Sequence, residues 1–443
     1  MKILFVYLNM IFFFKYLFIN IHCEIRLKFK RKFHLENTEE NLIENLLVNN
    51  LVINFIVGSN NETIPFILNF YEYTLAIIGS DIENKNINQY FNYKNSSSYN
   101  IIQENCSFYS HFYSYAIMSS ENFNIQNIFS GEEKFFLITK LSNDFQNYKI
   151  YFPGILGLNI SPIRDVKNIK NYNFIESLKE KNLIDSYSFI VNYLSEDEGE
   201  IIFGVKNYNN DYKNNKIAHT RALQINLNLK WSIVFDIIKY DNQSLEKFSD
   251  QGIFRIELGM IIGTNELKMK IKKSFFDFYI KQNKCQELTK DDDNNFYNSK
   301  TSFICDEDVN LTNFKNLSFE LKEINTTFIF TYNDLFQKIK NKYVFLIYFN
   351  EYSNGWEFGK PFFKKYNIIF DQDKKIIGIY KKNNYKKENN YFSIIIIIIL
   401  ILIIFYLFGY IINYLICKKS RKIRANELED TDYEYKTKFE LVK

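Results

Sequence analysis

Two segments of the chain set polar and ionisable side chains beside apolar runs. The first is Leu68-Asn69-Phe70-Tyr71-Glu72-Tyr73, followed by Leu75-Ala76-Ile77-Ile78. The second is Gly252-Ile253-Phe254-Arg255-Ile256-Glu257-Leu258-Gly259, followed by Met260-Ile261-Ile262-Gly263. Two carboxylates at close range cannot both ionise, so they share one proton and can activate water. Glu72 and Glu257 are the carboxylates that the two segments carry. Asn69 cannot exchange a proton near physiological pH, and Arg255 is a permanent cation. Other catalytic signatures are missing: there is no Gly-x-Ser-x-Gly, no phosphate-binding loop and no His-Glu-x-x-His. His22, His34, His111 and His219 are scattered, with no metal-site spacing, and no cofactor is expected. The run Asp291-Asp292-Asp293-Asn294-Asn295 reads as a solvated loop that would hold a cation only weakly.

The elements that must position these residues are short. Leu51-Val52-Ile53-Asn54-Phe55-Ile56-Val57, Glu200-Ile201-Ile202-Phe203-Gly204 and Thr326-Thr327-Phe328-Ile329-Phe330-Thr331-Tyr332 are strand-like runs bounded by Asn, Asp, Ser and Gly. Many such runs predict an all-β architecture. Phe174 to Lys181 and Lys272 to Gln282 are the best helical candidates. With 443 residues, 47% of them hydrophobic, the chain can bury a large core, and two or three domains are expected. A formal net charge of +4 is too small to indicate nucleic acid. The bias towards Asn, Ile, Lys, Phe and Tyr runs through every segment, so no Asn- or Lys-rich stretch carries a role by composition alone.

In order along the chain, these segments resemble the pepsin-type (A1, plasmepsin-like) aspartic proteases. The two polar segments align with the family's active-site loops, with Asn69 at the first catalytic aspartate and Arg255 at the second. Four further segments support the match. They are Tyr151-Phe152-Pro153-Gly154-Ile155-Leu156-Gly157-Leu158 together with the stretch from Phe174 to Gly204; Lys230-Trp231-Ser232-Ile233; the pair Cys285 and Cys305; and Trp356 to Asp371 with Ile376-Ile377-Gly378-Ile379. The resemblance implies two β lobes related by pseudo-twofold symmetry, with a cleft between them. The lobes are expected over 49–215 and 216–385. Ile155-Leu156-Gly157 and Glu357-Phe358-Gly359 would pack beneath the two loops, although Glu357 departs from the apolar pattern.

The same resemblance implies lost chemistry. The family threonines after each aspartate are replaced by Phe70 and Ile256, and the glycines by Tyr71 and Glu257. Glu72 and Glu257 as a replacement dyad would need unequal shifts in the two loops. Arg255 should lie at the cleft floor, neutralised by Glu72 or Glu257, with Glu72 preferred as a cross-lobe partner; the other possibility is that it snorkels into water. The flap tyrosine has no clear counterpart; the nearest stretch is His111-Phe112-Tyr113-Ser114-Tyr115-Ala116.

The ends suggest a membrane protein. The apolar start of residues 1–23 resembles a signal peptide. Residues 24–48 form a short basic, prosegment-like arm, expected to be solvated. Residues 392–416 are apolar over more than the roughly 20 residues that span a bilayer as a helix. Lys418, Lys419, Arg421, Lys422 and Arg424 come next, which places 417–443 in the cytosol. Of five cysteines, Cys23 leaves with the signal and Cys417 faces the cytosol. Among Cys106, Cys285 and Cys305 the last two are the candidates for one bridge, and they sit where the family has its second-lobe disulfide. The expected protein is therefore a type I, single-pass pepsin-fold protein of the secretory pathway or cell surface. It would be catalytically inactive and would bind a polypeptide partner through its cleft or lobe surface. The alternative is an active membrane-anchored aspartic endopeptidase with a divergent site.

Overall fold

The computed structural model describes residues 24–32, 42–82, 89–107, 113–126, 128–141, 152–160, 173–205, 208–214, 217–222, 224–225, 228–245, 251–290, 300–350, 355–380 and, within 400–416, all but 402, 405 and 413. The expected signal peptide, the cytosolic tail, His111-Phe112, Asp291–Asn295, Cys23 and Cys417 lie outside these residues. The chain divides into two compact units, Met1–Asn384 and Tyr385–Lys443.

The first unit is mostly β, as the short runs predict. Its described strands form one thirteen-stranded sheet, one nine-stranded sheet and two smaller ones. The strand Leu51–Val57 turns back into Glu62–Asn69, with Val57 opposite Glu62. That turn has Gly58 at φ 80° and Asn61 at φ 55°. Glycine adopts this left-handed backbone at no steric cost, and asparagine is among the few other residues that visit it.

One strand arrangement occurs twice. Glu62–Asn69 runs parallel to Gly154–Gly157, which is antiparallel to Leu75–Ile78, itself parallel to Phe129–Leu141. In the second half Gln251–Phe254 runs parallel to Trp356–Phe358, which is antiparallel to Ile261–Gly263, itself parallel to Ile347–Asn350. In each half a strand, a loop and a second strand therefore flank a third strand inserted between them. The repeat is the topological counterpart of the expected pseudo-twofold symmetry. In both halves a glycine lies under the loop at the end of the inserted strand. A Cβ on Gly157 would stand 2.5 Å from the backbone N and O of Thr74. One on Gly359 would stand 2.2 Å from Met260 O and 2.4 Å from Leu258 O.

The N-terminal segment corrects an expectation. Ile25–Arg31 is not a solvated arm but a strand. It pairs antiparallel with Glu198–Phe203 and continues through Arg31 opposite Leu51. Ile25, Leu27 and Phe29 are buried, whereas Arg26, Lys28 and Lys30 face outward, the period-two pattern of a half-buried strand. The basic cluster has partners: Lys30 meets Glu198 at 2.7 Å and Arg26 meets Glu200 at 2.8 Å. Buried Arg31 donates to the carbonyls of Asn45 and Val48.

Sheet membership also departs from a division at residue 215. Ile368–Asp371 and Ile376–Tyr380 close the thirteen-stranded sheet against Ser188–Tyr193 and Ile217–Arg221. The expected helix at Phe174 runs to Glu180, capped by Asn173 Oδ1, which accepts from Ile175 N and Glu176 N. The second starts earlier than expected, at Asn265 after the Thr264 cap, and passes through a π-helical turn at Lys272–Phe276 to Lys281. Cys285 and Cys305 form a disulfide between paired strands, with Cα atoms 4.0 Å apart. Cys106 lies in the strand Asn100–Ser107.

In the second unit, the described residues of 400–416 are helical, with exposed apolar side chains such as Ile403, Phe408 and Leu415. Among the described residues no helix is long and apolar enough to cross a membrane. The expected span at 392–416 begins outside them.

Gly359→Ala should destabilise the first unit by about 3 kcal/mol or more, because the added methyl meets backbone that cannot step aside. Gly131→Ala, where the nearest atom is the Phe129 ring at 3.1 Å, should stay within about 1 kcal/mol. Thermal unfolding of the two variants checks the contrast.

Candidate functional site

The loop after Glu62–Asn69 closes on its own amide. Asn69 ends the strand opposite Gly157. Its Oδ1 accepts from Tyr71 N at 2.6 Å and Glu72 N at 2.9 Å, and its carbonyl accepts from Leu158 N at 2.8 Å. An Asx turn of this kind gives the loop a backbone partner that a bare turn would lack. Phe70, 4% exposed, turns inward against Phe189, Phe363 and Phe370 with centroids 5.1–5.8 Å away. Glu72 is buried, and its carbonyl accepts from Asn159 N at 2.8 Å.

The second loop presents Arg255. Its backbone N donates to Phe358 O at 2.9 Å, which sets it beside Gly359. The side chain, 14% exposed, crosses to the first half. The guanidinium carbon lies 3.8 Å from the centre of the Tyr71 ring, and Nη1 donates to Tyr71 Oη at 2.6 Å. Nη1 also meets Glu357 Oε2 at 2.8 Å, and Nε donates to Glu257. Glu257 Oε2 stands 3.4 Å from Phe70 N, a second link between the loops. Lys230 Nζ adds a further cation 5.5 Å from the Tyr71 ring centre. From behind, Asn49 supports the Arg255 loop: its Nδ2 donates to Ile256 O at 2.8 Å and its N donates to Glu257 O at 2.8 Å.

The charges explain one another. Burial alone would lower the Arg255 pKa, but Glu257 and then Glu357 outweigh it and hold the guanidinium above its ordinary value. Burial raises the Glu357 carboxyl, and Arg255 only partly opposes this because Glu257 adds a like charge. The two partners thus shift in the same direction: the pair favours the cation more than it favours the Glu357 anion. Tyr71 is also raised, by burial against the pull of Arg255, and burial takes Tyr348 up to about 12.

The structure brings Asn69, Phe70, Tyr71, Arg255, Ile256 and Glu257 into one neighbourhood. It corrects the preferred pairing: Arg255 is neutralised by Glu257 and Glu357, not by Glu72. The reason is local. Asn69 folds the first loop so that Tyr71, not Glu72, meets the guanidinium. Glu257 directs its carboxylate to Arg255 and to the Phe70 backbone. Glu357, expected only as a departure from the apolar turn beneath the second loop, is a direct partner of Arg255. Among the described residues no group of three or more His, Cys, Asp or Glu side chains is placed to hold a metal ion.

A comparison with protein families matches residues 72–382 to the family described as eukaryotic aspartyl protease. Among curated proteins none matches the chain.

Arg255→Met should lower stability at neutral pH by about 2 kcal/mol, the cost of breaking a buried pair reduced for partial exposure. The pH dependence arises from Glu357. A carboxyl raised in the fold contributes stability that is fully present below its unfolded pKa and is lost as pH rises through its folded pKa. Removing Arg255 raises that folded pKa further, so the deficit should shrink as pH falls towards 4.5, the ordinary value. Unfolding midpoints of variant and parent across that range provide the check, and adding Glu357→Leu should recover part of the loss.

Proposed function

The chain belongs to the eukaryotic aspartyl protease family, and from that premise we propose that it is a membrane-anchored member that does not hydrolyse peptides. It uses the cleft between its halves, or a lobe surface, to bind a polypeptide. The observation that carries this reading is the engagement of Arg255 by Glu257, Glu357 and Tyr71. Hydrolysis in the manner of such proteases needs two carboxylates that share a proton. On this reading, which rests on the resemblance of the two loops, Asn69 and Arg255 stand at those positions. The guanidinium stays protonated and cannot act as a base near physiological pH, and the Asn69 amide is occupied by its own loop.

Several features support a retained scaffold put to another use. Both glycines beneath the loops remain, at positions where no side chain fits. Extended polypeptides are the natural ligands of exposed strand edges, which they join by main-chain hydrogen bonds. The apolar stretch at 392–416 and its basic flank support a single bilayer span with the first unit outside the cytosol. The Cys285–Cys305 disulfide suits the oxidising compartment that this orientation gives. The competing reading, an active endopeptidase with a divergent site, has Glu357 in its favour, a carboxyl raised as a general acid would be. That carboxylate is bound to Arg255, which an attacking water would first have to displace.

The full chain, purified in detergent and incubated with denatured proteins from acid to neutral pH, should produce no cleavage. Loss of both catalytic carboxylates removes orders of magnitude in rate. Cleavage that a statine-type inhibitor blocks, and that a mock preparation lacks, would overturn the proposal.

A further inference from the structure

A cavity of about 390 Å³ lies apart from Asn69 and Arg255, lined in part by the turn at Glu196 and the helix Lys360–Lys365. Its ionisable lining is Lys338, Lys360, Lys364 and Lys365 against Glu196 and Asp334. Lys365 pairs with Asp334, and Lys338 pairs with Glu307. Lys360 and Lys364 share a single carboxylate, one on each oxygen of Glu196. Their ammonium groups therefore stand on one small acceptor, with one positive charge in excess.

Lys360 makes this excess informative. Its side chain is only 4% exposed. Its Nζ lies 2.9 Å from Glu196 Oε2, away from the best hydrogen-bond angle, so that contact engages at most one of its three N–H donors and the others are buried without a partner. A buried ammonium with unmet donors is strongly unfavourable unless something satisfies it. Burial, more than the Glu196 contact, sets its behaviour and pulls its pKa down. Phe336 and Leu346 give the cavity an apolar wall, which strengthens charge interactions inside it.

We propose that this cavity binds a small phosphate-bearing anion through Lys360 and Lys364, with Lys365 beside them. A lone carboxylate would only repeat what Glu196 already supplies. A tetrahedral anion carries several acceptor oxygens and can meet more than one ammonium at once. Lysine recognises such groups as a point charge. The chemistry is the same for free phosphate and for a phosphomonoester on a larger molecule.

The full chain in detergent would be followed by thermal unfolding at constant ionic strength, with chloride exchanged for inorganic phosphate, glycerol phosphate or acetate. A ligand that binds only the folded state raises the midpoint with its concentration. Phosphate or glycerol phosphate should raise it to saturation, and acetate should not; whichever of the two half-saturates at lower concentration identifies the source. Lys360→Met should abolish the response, and Glu196→Gln, by removing the competing carboxylate, should lower the half-saturating concentration. Should Lys360→Met not fold, Lys364→Met, a more exposed site, should raise that concentration. No phosphate response beyond chloride, an equal response to acetate, or a response unchanged in both lysine variants would overturn the proposal.

Discussion

A guanidinium fixed at the end of an apolar strand must be neutralised, and much of the centre of this protein is arranged around that requirement. Arg255 lies between Phe254 and Ile256, both buried. Its backbone is tied to Phe358, so it cannot swing away as a unit. Charge compensation therefore comes from what lies within reach: Glu257 two residues on, Glu357 from the neighbouring strand and the face of Tyr71 from the other half. Desolvated cation–ring contacts can reach about 2 kcal/mol. Replacing such a group with apolar residues need not cost stability, whereas removing one member of it does. The cluster therefore acts less as an added source of stability than as a lock on the relation between the two loops.

A second connection between the halves is apolar. Phe70 and Phe254 both pack on Phe363 and Phe370. Trp231 also contacts Phe370 and donates from Nε1 to Leu158 O at 2.8 Å. Gln372 Nε2 donates to Asn159 O at 2.9 Å. Edge-to-face rings of this kind add to what burial alone gives. The first loop is held by the ring packing of Phe70 and by the Glu257 contact to its backbone.

Much of this is legible in the sequence, for reasons that can be named. The runs Leu51–Val57 and Glu200–Phe203 are strands because their apolar content and turn-forming borders leave little else. Thr326 begins as expected, but Thr331 and Tyr332 belong to the cap and first residue of a short helix, since Asp334 completes a capping box there. Ile25–Arg31 is easily misread because its charges dominate the composition; the alternation of Ile25, Leu27 and Phe29 is the stronger signal. The choice among Glu72, Glu257 and Glu357 is not legible. It depends on which way a loop turns, and that turn is set by two hydrogen bonds to one amide oxygen.

The thirteen-stranded sheet is drawn from widely separated parts of the chain, with Ile25–Arg31 on Glu198–Phe203 and Ile368–Asp371 on Ser188–Tyr193. During synthesis, the first half emerges with the edge of Ser188–Tyr193 unpaired until Ile368–Asp371 has been made. Pairing over such separations is slow, because the loop must close before any contact rewards it. An exposed edge in that interval can pair with other chains. Pairing of this edge is thus a late step of synthesis. A ribosome stalled before Ile368 would release a chain whose largest sheet has no stable boundary, and quality control would meet it as an aggregation-prone fragment rather than as an independent domain.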